Sequence, residues 1–131
     1  MLKPKRLLFV CVENSNRSQM AEAFARLLGG YTVEAHSAGS RSSGVVNPKA
    51  IAAMAELGYD LSAHSSKSLV DLPGMEWDAV ITMGCGDACP EIPARLREDW
   101  AIPDPRAMEP EEFRQVRSRI RDGVAELLSR I

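Results

Sequence analysis

Apolar and polar positions fall in blocks along the 131-residue chain, and the spacing of the apolar ones changes from block to block. Residues 6–11 hold Leu7, Leu8, Phe9 and Val10 without a break, then Cys11. So short and continuous a run predicts a buried strand. From Ser18, the residues Met20, Phe24, Leu27 and Leu28 recur at helical spacing until Gly29 and Gly30, which predicts a helix stopped by glycine. Residues 31–36 alternate as a strand does, and the Ser-Ala-Gly-Ser that follows predicts a turn. Asn47 followed by Pro48 marks a second helix start, with proline at the first helical position; Ile51, Met54 and Ala55 form its expected buried face and Gly58 its end. Residues 77–83 predict another strand, residues 84–93 a loop punctuated by Gly and Pro, and residues 94–100 a short strand. Pro110 opens a last helix with acids in its first turn and a stripe of Phe113, Val116, Ile120, Val124, Leu127, Leu128 and Ile131.

Strand and helix alternate, so the expected class is α/β: a parallel sheet with helices on both faces, in three layers. Ligands of such sheets sit at the carboxyl ends of the strands. Cys11 ends the first strand and the first helix begins just after it. Length is consistent with a single domain spanning 1–131. There is no repeat, low-complexity segment or linker.

Composition narrows the function classes. Apolar residues make up 45% of the chain, enough for one core, and the net charge of −2 gives no pull toward nucleic acid. No apolar stretch approaches membrane-spanning length. The first residues are basic and then apolar, but the apolar run is short and no small-residue cleavage site follows, so a cytoplasmic location is expected, with no membrane partner. Three cysteines, Cys11, Cys85 and Cys89, point to thiol chemistry rather than to a disulfide framework.

The stretch from Cys11 to Ser18 reads Cys-Val-Glu-Asn-Ser-Asn-Arg-Ser. A helix N-terminus attracts anions through its unpaired N–H groups and its dipole, and a loop curled into that end makes a nest for a tetrahedral oxyanion. Arg17 adds a two-pronged donor. The same field favours a Cys11 thiolate as nucleophile, and Ser18 can donate to it. Asn14 suits a left-handed turn or a pin for the loop. Residues Glu13, Asn14, Ser15, Asn16, Arg17 and Ser18 are thus the candidate oxyanion-binding set around Cys11. The plainer reading, a small core cysteine at a strand end, loses weight to the Arg-Ser spacing and the strand-helix context.

This stretch, continued as Gln-Met-Ala-Glu, resembles the phosphate loop of the low-molecular-weight protein tyrosine phosphatases and, more closely, of the related thioredoxin-coupled arsenate reductases, with their shared Cys-x-x-Asn-x-x-Arg-Ser. The resemblance runs on through Ser37-Ala38-Gly39, residues 78–83, residues 98–100 and Asp104-Pro105. It implies the four-stranded parallel sheet of that superfamily, Cys11 as nucleophile, Arg17 as oxyanion clamp, and Asn14 and Ser18 as loop supports. Two positions depart from it. Asn16 stands where many relatives have a second cysteine, so a disulfide partner for Cys11 must come from outside the loop. Glu13 stands where glycine is common, and its side chain is expected to face solvent.

Phosphatase-type chemistry needs a general acid. Asp104 lies between Pro103 and Pro105, which stiffen its loop, and the resemblance places the acid there; Asp99 is the competitor. Cys85 and Cys89 follow a strand expected to run parallel to the first, so their loop opens on the same side as Cys11. A metal site with His36 or His64 is the weaker reading of that pair, as is a pair of inert thiols. The reductase resemblance implies a relay: Cys11 takes arsenate, Cys85 attacks Cys11 as arsenite leaves, and Cys89 then attacks Cys85, leaving Cys85–Cys89 for an external reductant. The order in which Cys85 and Cys89 act stays open. The implied reductant is thioredoxin, or a glutaredoxin or mycothiol system, with no bound cofactor or metal. Phosphate and sulfate are expected as arsenate analogues, and a monomer is expected.

Some relatives bind potassium through an Asn, a Glu, a Ser and an Asp. Asn14, Glu22 and Ser37 match, whereas Lys67 falls at the Asp position; an ammonium there would pair with Glu22 and replace the ion. Trp77, Trp100, His36 and His64 read as structural. The resemblance thus implies an arsenate reductase, with which weak phosphatase activity could coexist because the same cradle holds phosphate and arsenate. The alternatives are a low-molecular-weight tyrosine phosphatase and a non-catalytic redox or oxyanion sensor.

Overall fold

The computed structural model describes residues 3–72, 74–84 and 92–131. Its four strands are β1 (Lys5–Cys11), β2 (Val33–Gly39), β3 (Trp77–Thr82) and β4 (Ala94–Asp99). Its three α-helices are α1 (Arg17–Gly29), α2 (Pro48–Ala55) and α3 (Pro110–Arg130). The strands form one parallel sheet in the order β2-β1-β3-β4. Succession runs outward from β1 to β2, then crosses back to β3 on the other side. The order therefore reverses between β1 and β3, the place where α/β sheets bind ligands.

Period-two alternation in β1 explains how the two faces are filled. Leu7, Phe9 and Cys11 point to the larger core, shared with Met20 and Phe24 of α1, Met54 of α2, and Phe113, Val116, Ile120, Val124 and Leu127 of α3. Leu8 and Val10 point to the opposite face, with Trp77 and Val80, under Leu69, Leu72, Met75 and Ile92. Among the described residues that second face is closed by a 3-10 turn, Leu69–Asp71, and its flanking segments rather than by a longer helix. β1 is buried on both faces, as its unbroken apolar run requires.

Most element limits match the sequence reading, and the differences have local causes. The second strand begins at Val33, because residues 30–32 form a 3-10 turn, and continues through Ser37, Ala38 and Gly39, which the sequence reading gave to a turn. α2 buries Ala50, Ala53 and Met54, while Ile51 is half-buried and Ala55 exposed. Its start is as expected: the Asn47 side chain accepts from Lys49 N at 2.8 Å, and Pro48 occupies the first turn. In α3 the stripe holds from Phe113 to Leu127, with Leu128 half-buried and Ile131 exposed at the helix end. Trp100 packs on Phe9 with ring centroids 6.3 Å apart.

Candidate active site

The loop between β1 and α1 is built by tying its carbonyls back into the protein. Cys11 O accepts from Ser40 N, Val12 O from Arg41 N, Glu13 O from Ser43 N, Ser15 O from Asn47 N and Asn16 O from Met20 N, at 2.7–3.2 Å. Asn14 O accepts from Gln19 Nε2 at 3.1 Å. Among the described residues the N–H groups of residues 12–18 find no acceptor. A concave set of free donors results, open to an anion. The turn needs Asn14 at φ +51°, a left-handed conformation that asparagine tolerates. It also needs Gly39 beneath it, where a Cβ would lie 2.6 Å from Val12 O.

Cys11 is buried at the floor of this loop, and its sulfur lies 2.8 Å from Ser18 Oγ. Asn14 Nδ2 donates to the same Oγ at 2.8 Å, which leaves the Ser18 hydroxyl hydrogen for the sulfur. The chain of donors continues backward. Gln19 Nε2 donates to Asn14 Oδ1 at 2.9 Å and to Ser65 O at 3.0 Å. Gln19 therefore offers only Oε1 to His64 Nδ1, 2.9 Å away, so Nδ1 carries the proton. His64 Nε2 then accepts from Tyr59 OH at 2.6 Å. Burial holds His64 below the usual histidine range, in keeping with a neutral ring that is donor on one side and acceptor on the other. Every bond from Tyr59 inward points its hydrogen toward Cys11.

Arg17 is buried, and its Nη1 donates to Ile102 O at 3.0 Å. Gly84, at φ +74°, makes room for it: a Cβ there would lie 2.6 Å from Arg17 Nη1. Asn16 Oδ1 is buried without a partner among the described residues, so the amide has hydrogen-bonding capacity to spare at the wall of the loop. Cys11, Glu13, Ser15, Asn16, Arg17, Gly84, Ile102, Asp104 and Arg106 line one hollow of about 520 Å³.

Asp104 is thus brought to the same hollow as Cys11. Asp99 is not among the lining residues; its Oδ1 accepts from Thr82 Oγ1 at 2.6 Å. Glu13 is 43% exposed at its side chain, and it faces Arg106 as well as solvent, with Nη1 at 3.5 Å. Cys85 and Cys89 lie outside the described residues.

Beneath the loop, Glu22 is 3% exposed at its side chain and accepts from Ser37 Oγ at 2.6 Å. It meets Arg26 at 2.8 Å, His64 Nδ1 at 3.4 Å and Lys67 Nζ at 3.7 Å. A potassium ion does not fit this set well, since the carboxylate already faces two side-chain cations. No group of three or more His, Cys, Asp or Glu side chains suited to a metal occurs among the described residues.

The sequence reading missed Gln19, Tyr59 and the placing of His64. Gln19 sits on the first turn of α1, where helical spacing turns it back toward Asn14. Tyr59 and His64 lie more than 40 residues from the loop, and no local pattern marks them.

The family model described as low molecular weight phosphotyrosine protein phosphatase matches residues 6–131. A protein of Synechocystis named glutaredoxin arsenate reductase is 39% identical to this chain, covering 97% of this chain and 98% of its own length. A solved structure described as an arsenate reductase in the phosphate binding state superposes with a TM-score of 0.87 at 38% identity, covering 97% and 98% of the two chains. The thioredoxin-dependent arsenate reductase of Corynebacterium glutamicum aligns with a TM-score of 0.76 at 31% identity, over 100% of this chain and 66% of its own. The family match over residues 6–131 shows that the chain belongs to the low molecular weight phosphotyrosine protein phosphatase family.

Proposed function

We propose that this protein reduces arsenate to arsenite. The observation that carries this reading is the Cys11 loop, with its carbonyls tied back and Arg17 lining the same hollow as Cys11, in a chain 38–39% identical along almost its whole length to proteins named arsenate reductases. A thiolate at Cys11 attacks arsenic, an As–S bond forms, and one arsenate oxygen leaves. Asp104, in the same hollow, protonates that oxygen so that it departs as water. Arg17 and the loop N–H groups hold the remaining oxygens, where charge is greatest.

Reduction needs two electrons from sulfur. In the proposed relay Cys85 attacks the Cys11 sulfur, the As–S pair passes to arsenic, and arsenite leaves as the Cys11–Cys85 disulfide forms. Cys89 then attacks Cys85, releasing Cys11 as a thiolate. A dithiol reductant of the thioredoxin or glutaredoxin class reduces Cys85–Cys89 and closes the cycle. Support for this sequence is that Asn16 leaves the loop without a second thiol and that Cys85 follows Gly84, a residue lining the hollow, directly in the chain. The chemistry requires a reducing compartment, and a cytoplasmic location follows from it. Among the described residues no helix is long and apolar enough to cross a membrane.

The test is arsenite production by the purified protein with thioredoxin, thioredoxin reductase and NADPH, run beside a glutaredoxin system. Cys85→Ser should abolish arsenate turnover and spare any hydrolysis of aryl phosphate. Arsenate turnover that survives this change unaltered rules out the relay. Activity that survives Cys11→Ser rules out the catalytic reading altogether.

A further inference from the structure

The mouth of the Cys11 hollow is charged where a site for aryl esters would be apolar. Pockets that hold an aromatic group are lined by hydrophobic and aromatic side chains. This chain has three Phe, two Tyr and two Trp, and none lines the hollow. Phe9, Phe24, Phe113 and Trp77 are buried in the two cores. Trp100 packs on Phe9, Tyr59 bonds His64, and Tyr31 stands exposed on the turn after α1. Residues 85–91 contain no aromatic.

What occupies the mouth instead is Arg106. Its Nη1 lies 3.5 Å from Glu13 Oε1, on the anion loop, and its Nε lies 3.7 Å from Asp104 Oδ2, on the segment before α3. Its backbone N–H donates to Asp104 Oδ1 at 3.1 Å. One guanidinium therefore ties the two walls of the hollow together. Its base is anchored as well: Lys49 Nζ, from α2, donates to Arg106 O at 2.8 Å and Met108 O at 3.3 Å. With its backbone held, the side chain is what can move, and it is 61% exposed.

The consequences differ for two kinds of guest. A free tetrahedral oxyanion fits within the loop and brings negative charge beneath the guanidinium, leaving both carboxylate contacts in place. A phosphate monoester must send its ester group out through the mouth. It then displaces Arg106, breaks both contacts, and leaves Glu13 uncompensated beside a dianion. Exposed ion pairs are individually weak, so the strap does not bar access outright; it sets a preference.

We propose that the Glu13–Arg106 strap is a specificity determinant that favours free tetrahedral oxyanions over phosphate monoesters. This deepens the oxyanion reading of the Cys11 loop given above and rests on it. The experiment uses the full chain carrying Cys11→Ser, which prevents turnover, with inorganic phosphate and phenyl phosphate as probes in titration calorimetry. Phosphate is expected to bind at least tenfold more tightly than phenyl phosphate. Adding Arg106→Ala should narrow that ratio about tenfold, Arg106→Gln should do the same, and Arg106→Lys should retain part of the preference. Glu13→Ala and Arg106→Ala should be non-additive when combined, since either one opens the strap. A ratio that stays within twofold across the Arg106 variants, while phosphate still binds, overturns the strap and leaves the oxyanion site standing. Failure of the Cys11→Ser protein to bind phosphate at millimolar concentration overturns the oxyanion reading itself.

Discussion

The position of Arg17 depends on a residue with no side chain. Gly84 lies at φ +74° against the guanidinium, and a methyl group there would meet Nη1 at 2.6 Å. Gly84→Ala should therefore cost activity through Arg17 as well as stability through its own backbone. The backbone part is about 1–2 kcal/mol for a left-handed alanine. Gly58 separates the two effects, since it sits at φ +80° with nothing within 4 Å of the added methyl. Both variants should melt earlier, and only Gly84→Ala should lose kcat/KM for arsenate, by up to about a hundredfold, the scale of one lost transition-state hydrogen bond. Equal activity losses in the two variants would remove the steric link to Arg17. Lys67 offers a second residue-scale test. Its ammonium stands 3.7 Å from Glu22 Oε1, so the wild-type rate should be the same in potassium and sodium salts. Lys67→Ala removes that charge from a nearly buried carboxylate, and its arsenate turnover should become faster in potassium than in sodium. A potassium-dependent wild type would show that Lys67 does not replace the ion.

At the scale of elements, the Glu56 carboxylate at the end of α2 adds ion pairs to α3, beside the bond from Arg117 Nη1 to Ala53 O at 2.7 Å and the shared core. Glu56 takes a two-pronged contact from Arg114, at 2.8–3.2 Å, and a further bond from Arg117 at 2.6 Å. Bonds to these two guanidinium groups lower the Glu56 carboxyl from its ordinary 4.5 to about 2. A group depressed in the folded state adds stability above its unfolded value and loses that contribution as pH falls through its folded value. Glu56→Gln should thus lower the melting temperature at pH 7 by a modest amount, because the pair is exposed. The gap between variant and wild type should close between about pH 4.5 and pH 2; a gap that persists unchanged at pH 2 would assign the loss to packing. The same element shows why some features were legible and others were not. Asn47 and Pro48 announce the start of α2 because cap chemistry is local to a few residues. Its buried face was harder to read, because Ala50 and Ala53 are small and pack where α1 and α3 leave little room, while larger Ile51 stays at the edge. The end of β2 was missed for a related reason: Ser37, Ala38 and Gly39 look like turn residues, yet Ser37 bonds Glu22, Ala38 packs in the second core, and Gly39 is bare because the loop after β1 lies against it. Cys11, Asn14, Arg17 and Ser18 were legible as one contiguous motif. Tyr59, His64 and Arg106 reach the site only through tertiary folding, and no spacing rule connects them to it.

At the scale of the molecule, the strand order makes one site from distant segments. The end of β1 supplies the loop, the end of β2 supplies its floor at Gly39, Gly84 follows β3, and Ile102 and Asp104 follow β4. An anion held by all of these binds the native state alone, so it must stabilise the whole fold by linkage. At a phosphate concentration 100 times its Kd the gain is about 2.7 kcal/mol. Gly39 tests whether that coupling runs through the floor. A Cβ there meets Val12 O at 2.6 Å, Asn14 N at 2.9 Å and the Glu13 carbonyl carbon at 3.0 Å. All three are backbone atoms, and the Val12 and Glu13 carbonyls are pinned by bonds from Arg41 N and Ser43 N. No flexible side-chain end is present to yield, so the loop itself must shift and its N–H groups lose their common focus. Gly39→Ala should therefore melt earlier in phosphate-free buffer and lose most of the phosphate-induced rise in melting temperature, while the wild type climbs with the logarithm of phosphate concentration. If the variant keeps the full phosphate response, the cradle does not depend on the end of β2, and its shape is set by β1 and α1 alone.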